Sequence, residues 1–185
     1  MKSLDEVDQG SGDQVSDPLS FARNIALQQL NYAPRSRKEL ADKLKGKGVP
    51  PDVSDQVLDR LTEVGLIDDL NYAHMLVRSK QNSRRLAKRA LRVELTKKGI
   101  SQEIANQVLD EVSADDELEM ARLIVDKKIR SLGSADNVTI QRRLSGLLAR
   151  KGYASNVSMV VIREAIAQRA SQNDDEFNSA DFVLD

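Results

Sequence analysis

The sequence predicts an all-α protein built from three tandem three-helix repeats with no sheet, and three observations carry that reading. No stretch shows sustained period-two alternation of β-branched residues, whereas apolar residues recur at helical spacing along most of the chain. Three segments align without gaps: LADKLKGKGVPPDVSDQVLDRL from Leu40, LRVELTKKGISQEIANQVLDEV from Leu91 and LSGLLARKGYASNVSMVVIREA from Leu144. Helix-boundary residues fall where that periodicity starts and stops. A unit of this size buries its apolar face poorly alone, so neighbours are expected to stack into an elongated, curved array.

The repeat period is about 50 residues. Leu40, Leu91 and Leu144 correspond, as do Leu44, Leu95 and Leu148, on the second helix of each unit. Gly48, Gly99 and Gly152 follow, each before an apolar residue: Val49, Ile100 and Tyr153. The third helices then run through Val53, Val57 and Leu61, through Ile104, Val108 and Val112, and through Val157, Val161 and Ala165. Upstream, Phe21-Ala22, Tyr72-Ala73 and Met120-Ala121 open the first helices at similar distances. The expected divisions are an acidic N-terminal tail at 1–18, repeats at 19–67, 68–113 and 114–169, and an acidic C-terminal tail at 170–185, both tails disordered.

Boundary chemistry accounts for the punctuation. Asp17-Pro18 reads as an N-cap followed by proline at the first helical position, and Ser36 with Glu39 as a capping box. Asp68 or Asp69, Ser101, Ser113, Asn137 and Ser155 are short polar side chains placed to accept from orphan amides. Gly48, Gly65, Gly99 and Gly152 suit left-handed C-terminal caps, and Pro50-Pro51 prevents the second helix from continuing.

The formal net charge of −1 conceals a polar arrangement. Residues 1–18 sum to −4 and residues 171–185 to −5, leaving +8 on residues 19–170. Both tails are poor in apolar residues and cannot bury enough surface to offset the entropy of ordering. The expected folded body is basic, which suggests a polyanionic partner. The chain has no cysteine, so no disulfide framework, thiolate metal site or cysteine nucleophile is available. The polar, acidic start does not resemble a signal peptide, and no apolar run approaches the roughly 18 residues of a membrane span. The expected protein is a cytoplasmic monomer that needs no cofactor and no metal.

Catalytic readings fail on residue type and spacing. His74 is the single histidine, too few for a metal site without cysteine. Asp68-Asp69 and Asp115-Asp116-Glu117 lie where helices begin, and negative charge there complements the helix dipole. The KGKG run at 45–48 lacks the spacing of a phosphate-binding loop. An enzyme is not expected.

What remains is a basic segment. From Arg78 to Lys98 there are nine bases (Arg78, Lys80, Arg84, Arg85, Lys88, Arg89, Arg92, Lys97 and Lys98) against one acid, Glu94. Arg85, Lys88, Arg89 and Arg92 are spaced i, i+3, i+4 and i+7, one stripe of a single helix, while Ala87, Leu91 and Leu95 face the core. The third repeat carries Arg142, Arg143, Arg150 and Lys151 at the equivalent helix, with no acid. The first repeat tempers Arg37, Lys38, Lys43, Lys45 and Lys47 with Glu39 and Asp42. A solvated face would explain any one helix; the shared trend favours a surface that meets phosphates. Of six aromatics, Phe177 and Phe182 lie in the acidic tail and Phe21 and Tyr72 occupy expected packing positions, so DNA contact should be weak, mostly to phosphate, with little base stacking. A membrane-surface helix would need bulky apolar anchors opposite the bases, and that side holds mainly Ala and Leu.

The runs SRKELADKLKGKG, VLDRLTEVGLIDDLNYAHMLVRSK and LRVELTKKGIS resemble the RecX family of recombination regulators. The most specific positions are Arg35, Ser36, Glu39 and Leu40, then Gly65-Leu66-Ile67-Asp68-Asp69 with Tyr72-Ala73, then Glu94-Leu95 with Lys98-Gly99-Ile100. The resemblance spans about residues 20–168, all three repeats. It implies tandem three-helix repeats without catalytic residues. It also implies a protein that binds the RecA recombinase filament on DNA and modulates it, usually by inhibiting ATP turnover and strand exchange, in recombination, DNA repair and the SOS response. One departure is local: many family members have a glycine shortly before the basic helix, where this chain has Arg84-Arg85-Leu86-Ala87. From the residues alone, a helix-turn-helix-like DNA-binding module and a helical scaffold for an acidic protein stay open.

Overall fold

The computed structural model describes residues 17–133 and 135–180. Among the described residues there are nine α-helices and no strand: α1 Pro18–Tyr32, α2 Arg37–Lys45, α3 Pro51–Glu63, α4 Asp69–Arg84, α5 Lys88–Lys97, α6 Gln102–Asp110, α7 Ala114–Arg130, α8 Asn137–Arg150 and α9 Ser155–Ala180. The all-helical reading and the helix, helix, glycine turn, helix order of each repeat are borne out. The 1–18 tail lies outside the described residues apart from its Asp17-Pro18 end. α9 carries helical backbone through the start of the acidic segment to Ala180, and 181–185 lie outside the description.

Most predicted caps form. Asp17 accepts from the Leu19 and Ser20 amides, Asp68 from Asn71, Ser101 from Ile104 and Ser113 from Asp116. Two are displaced by one residue. Asp136, not Asn137, caps α8, accepting from the Thr139 amide at 2.8 Å, and Asn137 is the first helical residue. Ser155 is likewise inside its helix, with the Ser158 amide donating to the carbonyl of Ala154. Gly48, Gly65, Gly99 and Gly152 all take the positive φ expected of them, joined by Gly133.

The described residues divide into two compact units. The first comprises the chain up to Arg35 together with Glu39–Ile67. Its core is Ala22 and Ala26 of α1, Leu40 and Leu44 of α2, Val57, Leu58 and Leu61 of α3, and Val49 and Ile67 from the turns.

The second unit comprises Ser36–Lys38 and everything from Asp68 onward, and it holds two cores. One gathers Ala73 and Val77 of α4, Leu91 and Leu95 of α5, Ile100, and Ala105, Val108 and Leu109 of α6. The other gathers Ala121, Ile124 and Val125 of α7, Ile140, Leu144 and Leu148 of α8, Tyr153, and Val161, Ile162 and Ala165 of α9. Ala87, which precedes α5, is buried in this second core. The repeat register is visible in the packing: Ala22, Ala73 and Ala121 are each fully buried.

One stapling scheme occurs twice inside the second unit. The Arg37 amide, first in α2, donates to the Asp69 carboxylate at 2.9 Å, and the Ser36 hydroxyl donates to the Lys98 carbonyl at 2.6 Å. The Lys88 amide, first in α5, donates to Glu117 at 3.1 Å, and the Ala87 amide donates to the Lys151 carbonyl at 2.9 Å. In both cases a first-turn carboxylate of the following repeat satisfies a helix-start amide, a cap supplied in trans. Asp69 and Glu117 therefore do more than complement their own helix dipoles.

Candidate nucleic-acid interface

The single four-residue stripe needs correction. α4 runs to Arg84 and closes with Arg85 in the left-handed region, φ 49 and ψ 50, its amide donating to the Gln81 carbonyl at 2.8 Å. Burial of Ala87 in the neighbouring core sets where the chain turns, so α5 starts only at Lys88. Lys88, Arg89 and Arg92 share a helix; Arg85 lies in the connection before it. The core-facing prediction for Ala87, Leu91 and Leu95 holds, since all three are buried.

Arg85 is the only non-glycine residue with positive φ among those described. A left-handed L-residue costs about 1–2 kcal/mol, and glycine returns part of that as backbone entropy. Arg85→Gly should therefore raise the free energy of unfolding by roughly 1 kcal/mol. A urea titration showing no rise in midpoint would contradict this.

The other predicted bases separate into three groups. Lys80 and Lys97 converge on Glu94, at 3.4 and 3.2 Å. The Lys97 hydrogen bond, reinforced by that from Lys80, holds this carboxyl below its usual range against the opposing effect of burial. These two bases are partly neutralised. Arg89 and Arg92 are exposed on α5, with Arg92 donating to the Asn106 side chain of α6. Arg78 is exposed on α4, beside a cavity it lines with His74, Gln81 and Glu111. His74 lies with Nδ1 3.5 Å from a Glu111 oxygen, linking α4 to α6.

The third group forms at a junction. The Lys151 ammonium, at the C-terminal cap of α8, donates to the Arg84 carbonyl, and the Tyr153 hydroxyl donates to the Arg85 carbonyl at 3.0 Å. With the Ala87 amide on the Lys151 carbonyl, three hydrogen bonds fasten the α4–α5 connection to the α8–α9 turn. Partial burial pushes the Lys151 amine below its usual value, and the charges of Arg85 and Arg84 push it further the same way. Tyr153 is driven up to about 12, mainly by burial, so its hydroxyl stays a donor at any physiological pH.

Arg150 is exposed beside Lys151, at the end of α8. Arg142 and Arg143 are exposed nearer its start, about 12 Å along the axis from Lys151 at 1.5 Å per residue. Lys98 is half-buried at the end of α5, where its carbonyl is taken by Ser36. The structure thus gathers Arg84, Arg85 and Lys151 and leaves Arg142 and Arg143 apart from them. Tyr153 and Glu117 position this junction. Only the repeat register, which places Tyr153 directly after the close-approach Gly152, could have flagged one of them. Among the described residues no group of three His, Cys, Asp or Glu could hold a metal ion. No helix among them is long and apolar enough to cross a membrane.

Comparison with known proteins assigns the chain. Family models of the first and second three-helix domains of RecX match residues 22–61 and 68–109. A protein described as regulatory protein RecX from Streptomyces lividans is 36% identical over 163 residues, covering 88% of this chain and 87% of its own. Another so described, from Mycolicibacterium smegmatis, is 40% identical over 163 residues, covering 84% and 87%. The crystal structure of RecX from Lactobacillus salivarius superposes with a TM-score of 0.75 at 27% identity, covering 83% of this chain and 99% of that one. With helices, repeat register and sequence in agreement, this chain belongs to the RecX family of regulatory proteins.

Proposed function

We propose that this protein is a cytoplasmic, non-enzymatic regulator that binds a RecA-type recombinase and its DNA filament and inhibits ATP turnover and strand exchange. The observation that supports this reading best is the meeting of Arg84 at the end of α4, Arg85 in the connection after it and Lys151 in the α8–α9 turn, in a chain of this family. A catalyst would enclose its reacting groups, whereas this molecule offers charge on helix surfaces. Phosphate contacts place a protein on a nucleic acid without reading its sequence, which suits a partner coating DNA of any sequence.

Titrating the protein into a recombinase ATPase and strand-exchange assay on single-stranded DNA tests the reading. Both activities are expected to fall as the protein saturates the filament. Unchanged rates at saturation would end it.

A further inference from the structure

We propose that Arg84, Arg85 and Lys151 form a phosphate-binding node for the backbone of single-stranded DNA, and that the left-handed backbone at Arg85 is retained because it serves this node. The proposal rests on the preceding reading that DNA is part of the partner.

Three cations meet here from two distant parts of the sequence, Arg84-Arg85 after α4 and Lys151 after α8. The Lys151 side chain is fixed by the Arg84 carbonyl, and the Arg85 carbonyl is fixed by Tyr153. An ammonium has three donors, so two remain on Lys151 for an anion. The neighbouring charges that act on Lys151 are Arg85 and Arg84, both positive, in a site where partial burial already disfavours a cation. Glu117, the nearby carboxylate, is engaged by the Lys88 amide and faces Tyr153. A phosphodiester oxygen is the group that would relieve the repulsion, accepting charge-assisted hydrogen bonds from guanidinium and ammonium. A strained residue persists only where surrounding structure enforces it, and such residues cluster at binding sites. Glycine would serve the fold better at position 85; it could not supply the charge. Tyr153 spends its hydroxyl on Arg85 and is buried, so the node has no ring for stacking and should not distinguish bases.

The test measures binding of the full-length protein to a fluorescent oligo-dT strand by anisotropy across a salt series. The variants are Lys151→Met and Arg85→Gly. Each is expected to weaken binding about five-fold at 0.1 M salt and to lower the salt slope by about 0.7, with the difference closing near 1 M. Arg85→Gly is expected to do so while gaining stability, which separates a binding role from a folding one. A strand whose linkages are neutral methylphosphonates should bind the wild type and both variants alike. Wild-type affinity and slope in both variants would overturn the node. Stabilisation of the wild type by inorganic phosphate, with DNA affinity unmoved in the variants, would overturn it in favour of a free-anion site. If the variants bind as wild type while the wild type still inhibits the recombinase, only the node falls. If the wild type leaves the recombinase untouched, the functional reading itself falls.

Discussion

Gly152→Ala is expected to destabilise the second unit strongly, by about 2–5 kcal/mol. Two costs combine. Gly152 has φ +87, and a methyl group there would lie 2.5 Å from the Ala90 backbone nitrogen and 2.7 Å from its Cβ. Backbone atoms cannot rotate aside, so relief requires the α8–α9 turn to move off α5. That motion would break the bonds made by Lys151 and Tyr153 to the α4–α5 connection, the flanking residues of the same turn. Gly48→Ala is the internal control. It occupies the equivalent turn of the first repeat with φ +77, yet nothing lies within 4 Å of the added methyl. It should cost only the conformational term, about 1–2 kcal/mol. Equal losses in urea unfolding of the two variants would show that the close approach to Ala90 contributes nothing. DNA binding should fall with Gly152→Ala and not with Gly48→Ala.

The same pair shows which parts of the molecule are legible in its sequence. A packing residue that recurs at a fixed period announces itself, which is why Leu40, Leu91 and Leu144, and the alanines of the first helices, could be placed correctly. The turn glycines were equally plain, because few other residues tolerate their backbone. Arg85 gave no such signal. Nothing about arginine indicates a left-handed conformation, and the charge spacing there fits a continuous helix just as well. The trans caps were hidden for a related reason. Asp69 and Glu117 are credible first-turn acids of their own helices, and only tertiary structure shows their oxygens reaching Arg37 and Lys88. Asp136 and Asn137 are adjacent and chemically equivalent as caps, so a one-residue displacement is invisible in composition.

Charge is legible as an amount, while its availability is set by partners. From Arg78 to Lys98 every base contributes the same unit to the sequence, but Lys80 and Lys97 share Glu94 and the junction collects Arg84, Arg85 and Lys151. Architecture explains the leucines and the glycine of this segment without needing its bases. The trans caps use the backbone amides of Arg37 and Lys88, which any residue but proline would supply. The repeat is therefore free to vary its surface charge while keeping its fold.

Replacing Lys88, Arg89 and Arg92 together with Ala should then cost little stability and much affinity. Alanine favours helix, the Lys88 amide keeps its bond to Glu117, and the Arg92 contact with Asn106 is exposed. If each base neutralises one phosphate of single-stranded DNA, the salt slope should fall by about 2 and affinity at 0.1 M salt by about a hundred-fold, converging with wild type near 1 M. Inhibition of the recombinase ATPase should need correspondingly more protein. Lys80→Ala with Lys97→Ala removes two bases from the same segment and supplies the contrast. Those two already offset Glu94, so the slope should change by less than one contact, about 0.7. If both variants weaken binding equally per charge removed, the segment acts only through its summed field, and no individual base of α5 touches phosphate. If the triple variant binds as wild type, the exposed face of α5 is merely solvated.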